Sequence, residues 1–360
     1  MKSKLSVVRV LLSSRASISS RHAGFSLVEV LVSMVILSMI LLVITSVIGQ
    51  TQRTWKTATA TLSQFREARV AFETVAREMR QATMKSYYDY EGYGAYIGAP
   101  PQRIVKKAEG GLVVDSARVI VTGGSAAELP GSAVIFQVPA GAASAQDPSW
   151  LPLQFALCKR AYFVQYSDDS RYLPSGLVSR LPLRYRYRLV EYSPPTDFND
   201  IYDTSGSPNG PAWTSVLRGQ AESDGHLRIV ADNIVALIVA VSPRQAAVGA
   251  DRQSLAQARN PFLLYKFSTF VDNIVNGRQV ASSMPAMARL VMVAVDEESA
   301  VRMTLGGGSN PPDILGRSGA TFTNPQSVQE DVETLRAYML QQRYNFRIFS
   351  SNVYLPANQI

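Results

Sequence analysis

The sequence has one cysteine, Cys158, and two histidines, His22 and His226, in 360 residues. A single thiol cannot form an intrachain disulfide, and no paired-cysteine spacing for zinc occurs. Cys158 lies in the apolar run LQFALCKRAYFVQY, which reads as a strand carrying a buried, unreactive thiol. Imidazole chemistry would have to rest on His226 alone. A G-x-S-x-G elbow, a P-loop, an H-E-x-x-H helix and an EF-hand loop are also missing, which removes the commonest signatures of hydrolase, nucleotide and metal chemistry. Acidic charge is missing from the amino end: Met1 to Gly24 holds Lys2, Lys4, Arg9, Arg15 and Arg21 and no acid. Subtracting those five from the formal net charge of +8 leaves +3 for Phe25 to Ile360, 31 basic residues against 28 acidic. The basicity belongs to the first 24 residues, so nucleic-acid binding is not expected.

Charge of either sign is absent from Val30 to Gln52. The apolar stretch Phe25 to Ile48 would be about 36 Å long as a helix at roughly 1.5 Å per residue, enough to cross a bilayer core of roughly 30 Å. Five cations precede it and only Arg53 and Lys56 follow closely, which puts the amino end in the cytoplasm and the remaining chain outside it. Trp55 suits the far interface. A secretory signal has a shorter apolar core of about 7 to 15 residues followed by small residues; here the small residues precede the run, in HAG. Cleavage after Gly24 would therefore leave the membrane helix intact, beginning at Phe25 with a new α-amino group. Glu29, four residues on, stands just inside the apolar edge. It could partly neutralise its own amine or reach the amine of a neighbouring subunit, which would make it an assembly device. The plain alternative is a glutamate that reaches back to the inner interface.

The segment GFSLVEVLVSMVIL resembles the processing motif of type IV prepilins and type II secretion pseudopilins. The resemblance implies that a prepilin peptidase cuts after Gly24 and methylates Phe25, and that Glu29 is the fifth residue of the mature chain. It also implies a pilin-like fold of the α+β class, in which a long amino-terminal transmembrane and spine helix packs on an antiparallel sheet domain.

No proline occurs between Gly49 and Pro100, and Phe65, Ala68, Phe72, Val75, Met79 and Ala82 step by three and four along one apolar stripe. Residues 1–24 thus read as a basic leader, 25–49 as the transmembrane half of a helix, 50–86 as its amphipathic half and 87–360 as a β-rich domain. Phe65, Phe72, Val75 and Met79 are the expected packing residues, covered by that domain or by a heptad partner from another chain. YYDYEGYGAYIGAPPQ reads as a Tyr- and Gly-rich loop. Strands are expected in GLVVDSARVIVTGG, SAVIFQVP, LQFALCKRAYFVQY, LPLRYRYRLVEY, LRIVADNIVALIVAVS, FLLYKFSTFV and ARLVMVAVDEE. In LRYRYRL the alternation puts Leu183, Tyr185, Tyr187 and Leu189 on one face and Arg184, Arg186 and Arg188 on a solvated cationic face, open to an acidic partner. Ser327 and Glu330 have capping-box spacing before a short helix with Val332, Leu335 and Met339 on one side, and YNFRIFSSNVYLP closes as a strand.

FREARVAFETVAREMRQA resembles the amphipathic helix of J-type minor pseudopilins, and IVADNIVALIVAVS with MPAMARLVMVAV resembles their paired late strands. The arrangement is also similar to the Verru/Chthon cassette protein C group. The Asp, Ser and Asn side chains of SDDS (167–170) and DFND (197–200) offer the oxygen ligands calcium accepts, but neither has the ligand count of a recognisable site. No cofactor is expected, and calcium is raised only because some pseudopilins bind it. The expectation is a non-enzymatic minor subunit of a type IV pilus or secretion pseudopilus. Its implied partners are prepilin peptidase, other pilin subunits and the inner-membrane assembly platform. It would be held in the inner membrane by one span, with a periplasmic domain, before entering a filament. The alternatives are a filament-displayed adhesin and a bitopic periplasmic enzyme with a simple anchor.

Overall fold

The computed structural model describes residues 26–84, 86–91, 103–108, 110–125, 127–141, 156–170, 173–178, 180–196, 212–243, 263–269, 273–275, 278–280, 284–304, 308–312, 314, 322 and 327–356. The chain divides into two compact units, Met1–Ala58 and Thr59–Ile360. Helix α1, Leu27–Arg80, contributes residues to both. It has no proline, and Gly49 is its one glycine, so nothing in its 54 residues interrupts the hydrogen-bond ladder. Arg77 and Arg80 occupy the last turn, where cations favour the helix dipole. The helix stops six residues before the expected Ser86. The Thr83 N–H bonds to the Gln137 carbonyl at 2.9 Å, so pairing with a strand wins over helix propagation.

The second unit is built from strands. β1 (Ser86–Glu91) and β2 (Arg103–Ala108) form an antiparallel pair, which corrects the expectation of a loop at the start of the Tyr-rich stretch. β3 (Leu112–Ser116) is followed by one helical turn, α2 (Ala117–Ile120), and by β4 (Val121–Thr122), so the run GLVVDSARVIVTGG is two strands split by a turn. β5 (Ser132–Val138), β6 (Cys158–Ser167), the turn α3 (Ser175–Val178), β7 (Arg186–Tyr192), β8 (Val216–Leu217), α4 (Arg218–Ser223) and β9 (Leu227–Asp232) come next. Asn233 then takes a left-handed conformation, φ 59°, which asparagine tolerates better than most residues. It breaks LRIVADNIVALIVAVS into β9 and β10 (Ile234–Ser242), which belong to different sheets. β11 (Phe267–Ser268), β12 (Asn273–Val275), β13 (Arg278–Val280), β14 (Met287–Val295), α5 (Glu297–Thr304), α6 (Val328–Gln341) and β15 (Phe346–Tyr354) complete the order.

Two sheets carry the core. One has six antiparallel strands in the order β11-β3-β5-β6-β7-β9, and the other has three, β10-β14-β15. Every residue of β5 is buried, because the six-stranded sheet is covered on both faces. Val134, Phe136, Tyr162, Val164 and Leu189 join the main core with the stripe of α1 and the three-stranded sheet. Ala133, Ile135, Ala161, Phe163 and Val190 face a second cluster with Ile120, Trp213 and Ala221. This period-two split of near-continuous apolar runs is what two-sided burial requires. At Gly131, φ +77°, an added Cβ would lie 2.4 Å from the Leu237 carbonyl oxygen, so glycine lets the chain entering β5 approach β10. In α6, Val332, Leu335 and Met339 are buried as expected, but Ser327 makes no side-chain cap hydrogen bond; its hydroxyl bonds to Asp331 at 3.3 Å.

Candidate processing and assembly site

Gly24 and Phe25 lie outside the described residues. Glu29 is in the first turn of α1 and exposed. The Ser26 carbonyl accepts the N–H groups of Glu29 and Val30 at 2.9 and 3.2 Å, starting the helix. Ser26 and Glu29 have the three-residue separation of a capping box, a start signal that periodicity alone overlooks. A carboxylate here is also favoured by the positive end of the helix dipole.

From Leu27 to Ile48 the large apolar side chains are all exposed within the chain. Among the described residues α1 is the one helix long and apolar enough to cross a membrane. Its hydroxyls are turned onto their own helix: Ser33 donates to the Glu29 carbonyl at 2.7 Å, Ser38 to Met34 at 2.7 Å, Thr45 to Leu41 at 2.8 Å and Thr51 to Val47 at 2.8 Å. Each hydroxyl proton has an acceptor without water, which suits an apolar environment. Trp55 is exposed, next to Arg53 and Lys56 in sequence.

Within the second unit Phe65, Phe72, Val75 and Met79 are buried together with Ala68, Ala71 and Ala76, as the stripe predicts. The cover is the chain's own domain. The Phe72 ring lies 5.9 Å from that of Phe349 on β15, and the Arg347 guanidinium stands over Phe65 at 5.2 Å. Polar contacts that the stripe does not reveal fix this half of the helix. Gln64 Oε1 accepts the Glu297 N–H at 2.9 Å. Glu78 accepts a hydrogen bond from the Tyr162 hydroxyl and lies 3.5 Å from Arg160, which also pairs with Glu191. Glu191 is fully buried and paired on its other side with Arg228. Burial pushes the Tyr162 hydroxyl pKa far up, and the Glu191 charge and the Glu78 hydrogen bond push it further, so the phenol stays protonated. Burial works against the Arg160 charge, but Glu78 and Glu191 outweigh it and hold the pKa above its ordinary value. Glu78 is one of three glutamates in this half of the helix, with Glu67 and Glu73, so nothing in the sequence singles it out, and its partners Arg160 and Tyr162 come from a strand more than eighty residues away.

The expected cationic face is solvated at Arg184 only, which is exposed and precedes the strand. Strand β7 begins at Arg186, and Arg186 pairs with Glu297 while Arg188, 3% exposed, bonds to Asp232 at 2.9 Å and to the Ser167 and Asp168 carbonyls at 2.6 Å. Neighbouring strands and α5 supply the acids that alternation alone could not place. In SDDS, Asp168 Oδ1 accepts from the Ser170 N–H and hydroxyl, and Asp169 Oδ1 accepts from the Arg184 N–H. No group of three or more potential metal ligands occurs among the described residues, and Asp197 to Asp200 lie outside them. Cys158 is buried with its thiol donating to the Ala140 carbonyl at 3.0 Å, and burial raises its pKa. His226 lies against the Tyr192 ring at 6.4 Å.

No curated protein matches the chain. A type IV-like pilin from Thermus thermophilus aligns over 81% of this chain and 95% of its own at 11% identity with a TM-score of 0.27, too loose a superposition to support a fold argument. The family described as the prokaryotic N-terminal methylation motif matches residues 19–45, which contain Gly24, Phe25 and Glu29. That match falls on the start of the one long apolar helix among the described residues, ahead of an antiparallel β domain, so the chain carries the amino-terminal methylation motif of type IV prepilins and pseudopilins, its subtype left open.

Proposed function

We propose that the chain is a minor structural subunit of a type IV pilus or type II secretion pseudopilus, cut by prepilin peptidase after Gly24 and methylated on Phe25. The observation that carries this reading is the coincidence of the methylation motif with an exposed apolar helix whose only ionisable group before Arg53 is Glu29. Before assembly the helix anchors the subunit in the inner membrane, with residues 1–24 in the cytoplasm and the β domain in the periplasm, as the five amino-terminal cations favour. An unpaired carboxylate at mid-membrane costs about 2.5–3.5 kcal/mol on insertion scales and less near the edge. A neighbouring subunit's terminal amine removes that cost, which favours the docked over the isolated subunit. A minor place is supported by the bulk of the Thr59–Ile360 unit: helices packed at about 8–10 Å leave little room for such a head on every subunit. The J-type and Verru/Chthon cassette groupings rest on the sequence patterns alone.

The test is mass spectrometry of the mature amino terminus. The expected species begins at N-methylated Phe25, and Gly24→Ala retains residues 1–24. A mature chain that starts elsewhere rules the reading out. Glu29→Ala is expected to be cleaved normally and yet be missing from sheared filament fractions.

A further inference from the structure

On the face of the six-stranded sheet that carries Phe163 and Val190, a cleft of about 270 Å³ opens beside Gln165. Gln165 is 4% exposed, and its Nε2 donates to Glu222 Oε1 at 3.0 Å. That bond fixes the amide orientation, because the oxygen cannot face a carboxylate. Its Oε1 is buried at the cleft wall with no hydrogen-bond partner among the described residues. A buried carbonyl oxygen left in that state calls for a donor.

The surrounding charges select the donor. Arg218 reaches Glu222 through Nε at 3.1 Å and Glu128 through Nη1 at 3.2 Å, so the guanidinium lies between two carboxylates. A cation entering the cleft would compete with Arg218 for both, and an anion would meet Glu128, Glu222 and Asp168. A neutral group whose hydroxyls both donate and accept meets neither obstacle. Val190 and Leu227 give the lining apolar surface, and Tyr185 adds a ring, which suits the C–H side of a cyclic polyol. The volume is below the roughly 300 Å³ at which ordinary small-molecule sites begin, which limits the occupant to about one ring. We propose that this cleft binds a neutral polyhydroxy unit of monosaccharide size, one hydroxyl of which donates to Gln165 Oε1. The inference does not rest on the filament reading, since every residue involved belongs to the Thr59–Ile360 unit.

The experiment is saturation-transfer NMR on the full chain in a phosphocholine detergent, because glycoside detergents would compete. The probes are free glucose, galactose, mannose and N-acetylglucosamine, with ethylammonium chloride as the cationic control. Saturable transfer is expected from at least one sugar. Gln165→Met is expected to weaken it about tenfold, the factor that corresponds to one good hydrogen bond. Ser309→Trp, at the exposed rim, is expected to abolish it while leaving the core untouched, which keeps the test valid if Gln165→Met does not fold. Absence of saturation by all four sugars overturns the proposal. So does binding unchanged in the folded variants, or saturation by ethylammonium alone.

Discussion

Glu191 sits on β7 with no exposed surface, between the guanidinium groups of Arg160 and Arg228, and Arg160 in turn reaches Glu78 on α1. Removing Glu191 leaves the largely buried Arg160 with Glu78 still beside it, while Arg228, 71% exposed, turns to solvent. Glu191→Ala is therefore expected to lower the unfolding free energy by about 1–3 kcal/mol, read from the urea midpoint. Glu297 offers a pH handle. Burial raises its pKa, but hydrogen bonds from Arg186 and Asn233 and the charges of Arg186 and Arg184 outweigh it, leaving the carboxyl below its ordinary 4.5. A depressed folded-state pKa means stability that is present in full above 4.5 and lost as pH falls through the folded value. Wild type and Glu297→Gln are thus expected to differ in thermal midpoint at neutral pH and to converge progressively as the pH falls below 4.5 and through the folded-state pKa. Parallel curves over that range would show that the Arg186 pair contributes nothing. Neither group was legible in the sequence. Alternation in LRYRYRL places Arg186 and Arg188 opposite the tyrosines, but their acidic partners come from β9 and α5, forty and more residues later.

The same helix is legible by pattern in one part and by composition in another. In α1 the stripe Phe65, Phe72, Val75 and Met79 was readable because a helix buried along one side must repeat its apolar residues every three or four positions. From Leu27 to Ile48 no stripe exists, since every side is apolar and exposed, and only the lack of charge identifies the segment. Strand positions were readable for β5, β6, β10, β14 and β15, whose apolar runs are bounded by turn residues. The breaks inside the runs were not. Asn233 divides β9 from β10, and α2 interrupts the run at residues 111–124, both through backbone geometry that composition does not report. The helix end was missed for a related reason, since the Thr83 to Gln137 pairing is a long-range contact. The packing argument yields a contrast within the one helix. Met79→Ala, at a site with no exposed surface, is expected to cost about 2–5 kcal/mol, and Val70→Ala, 63% exposed, less than about 0.5 kcal/mol. Denaturant midpoints of the two variants test this; equal losses would mean that the outer side of the helix is also covered.

The molecule joins a segment whose apolar side chains are exposed among the described residues to a unit that buries its own. No residue of α1 before Phe65 is buried, and the main core draws only on Phe65 and later positions. Hydrophobic stabilisation follows the area removed from water, so residues 26–58 contribute little to folding and much to insolubility in water. Among the described residues after Ala58 the exposed large apolar residues include Leu62, Val70, Leu217 and Leu340, which lie on different elements. A fragment spanning residues 59–360 is accordingly expected to be soluble without detergent and to unfold in one cooperative step. Its urea midpoint should match that of the same transition in the full chain, which itself should sediment with membranes and resist carbonate extraction. Gel filtration, circular dichroism and fractionation measure these outcomes. Aggregation of the fragment, or a midpoint well below that of the full chain, would mean that residues before Thr59 complete the core, and the division of labour along α1 would be wrong.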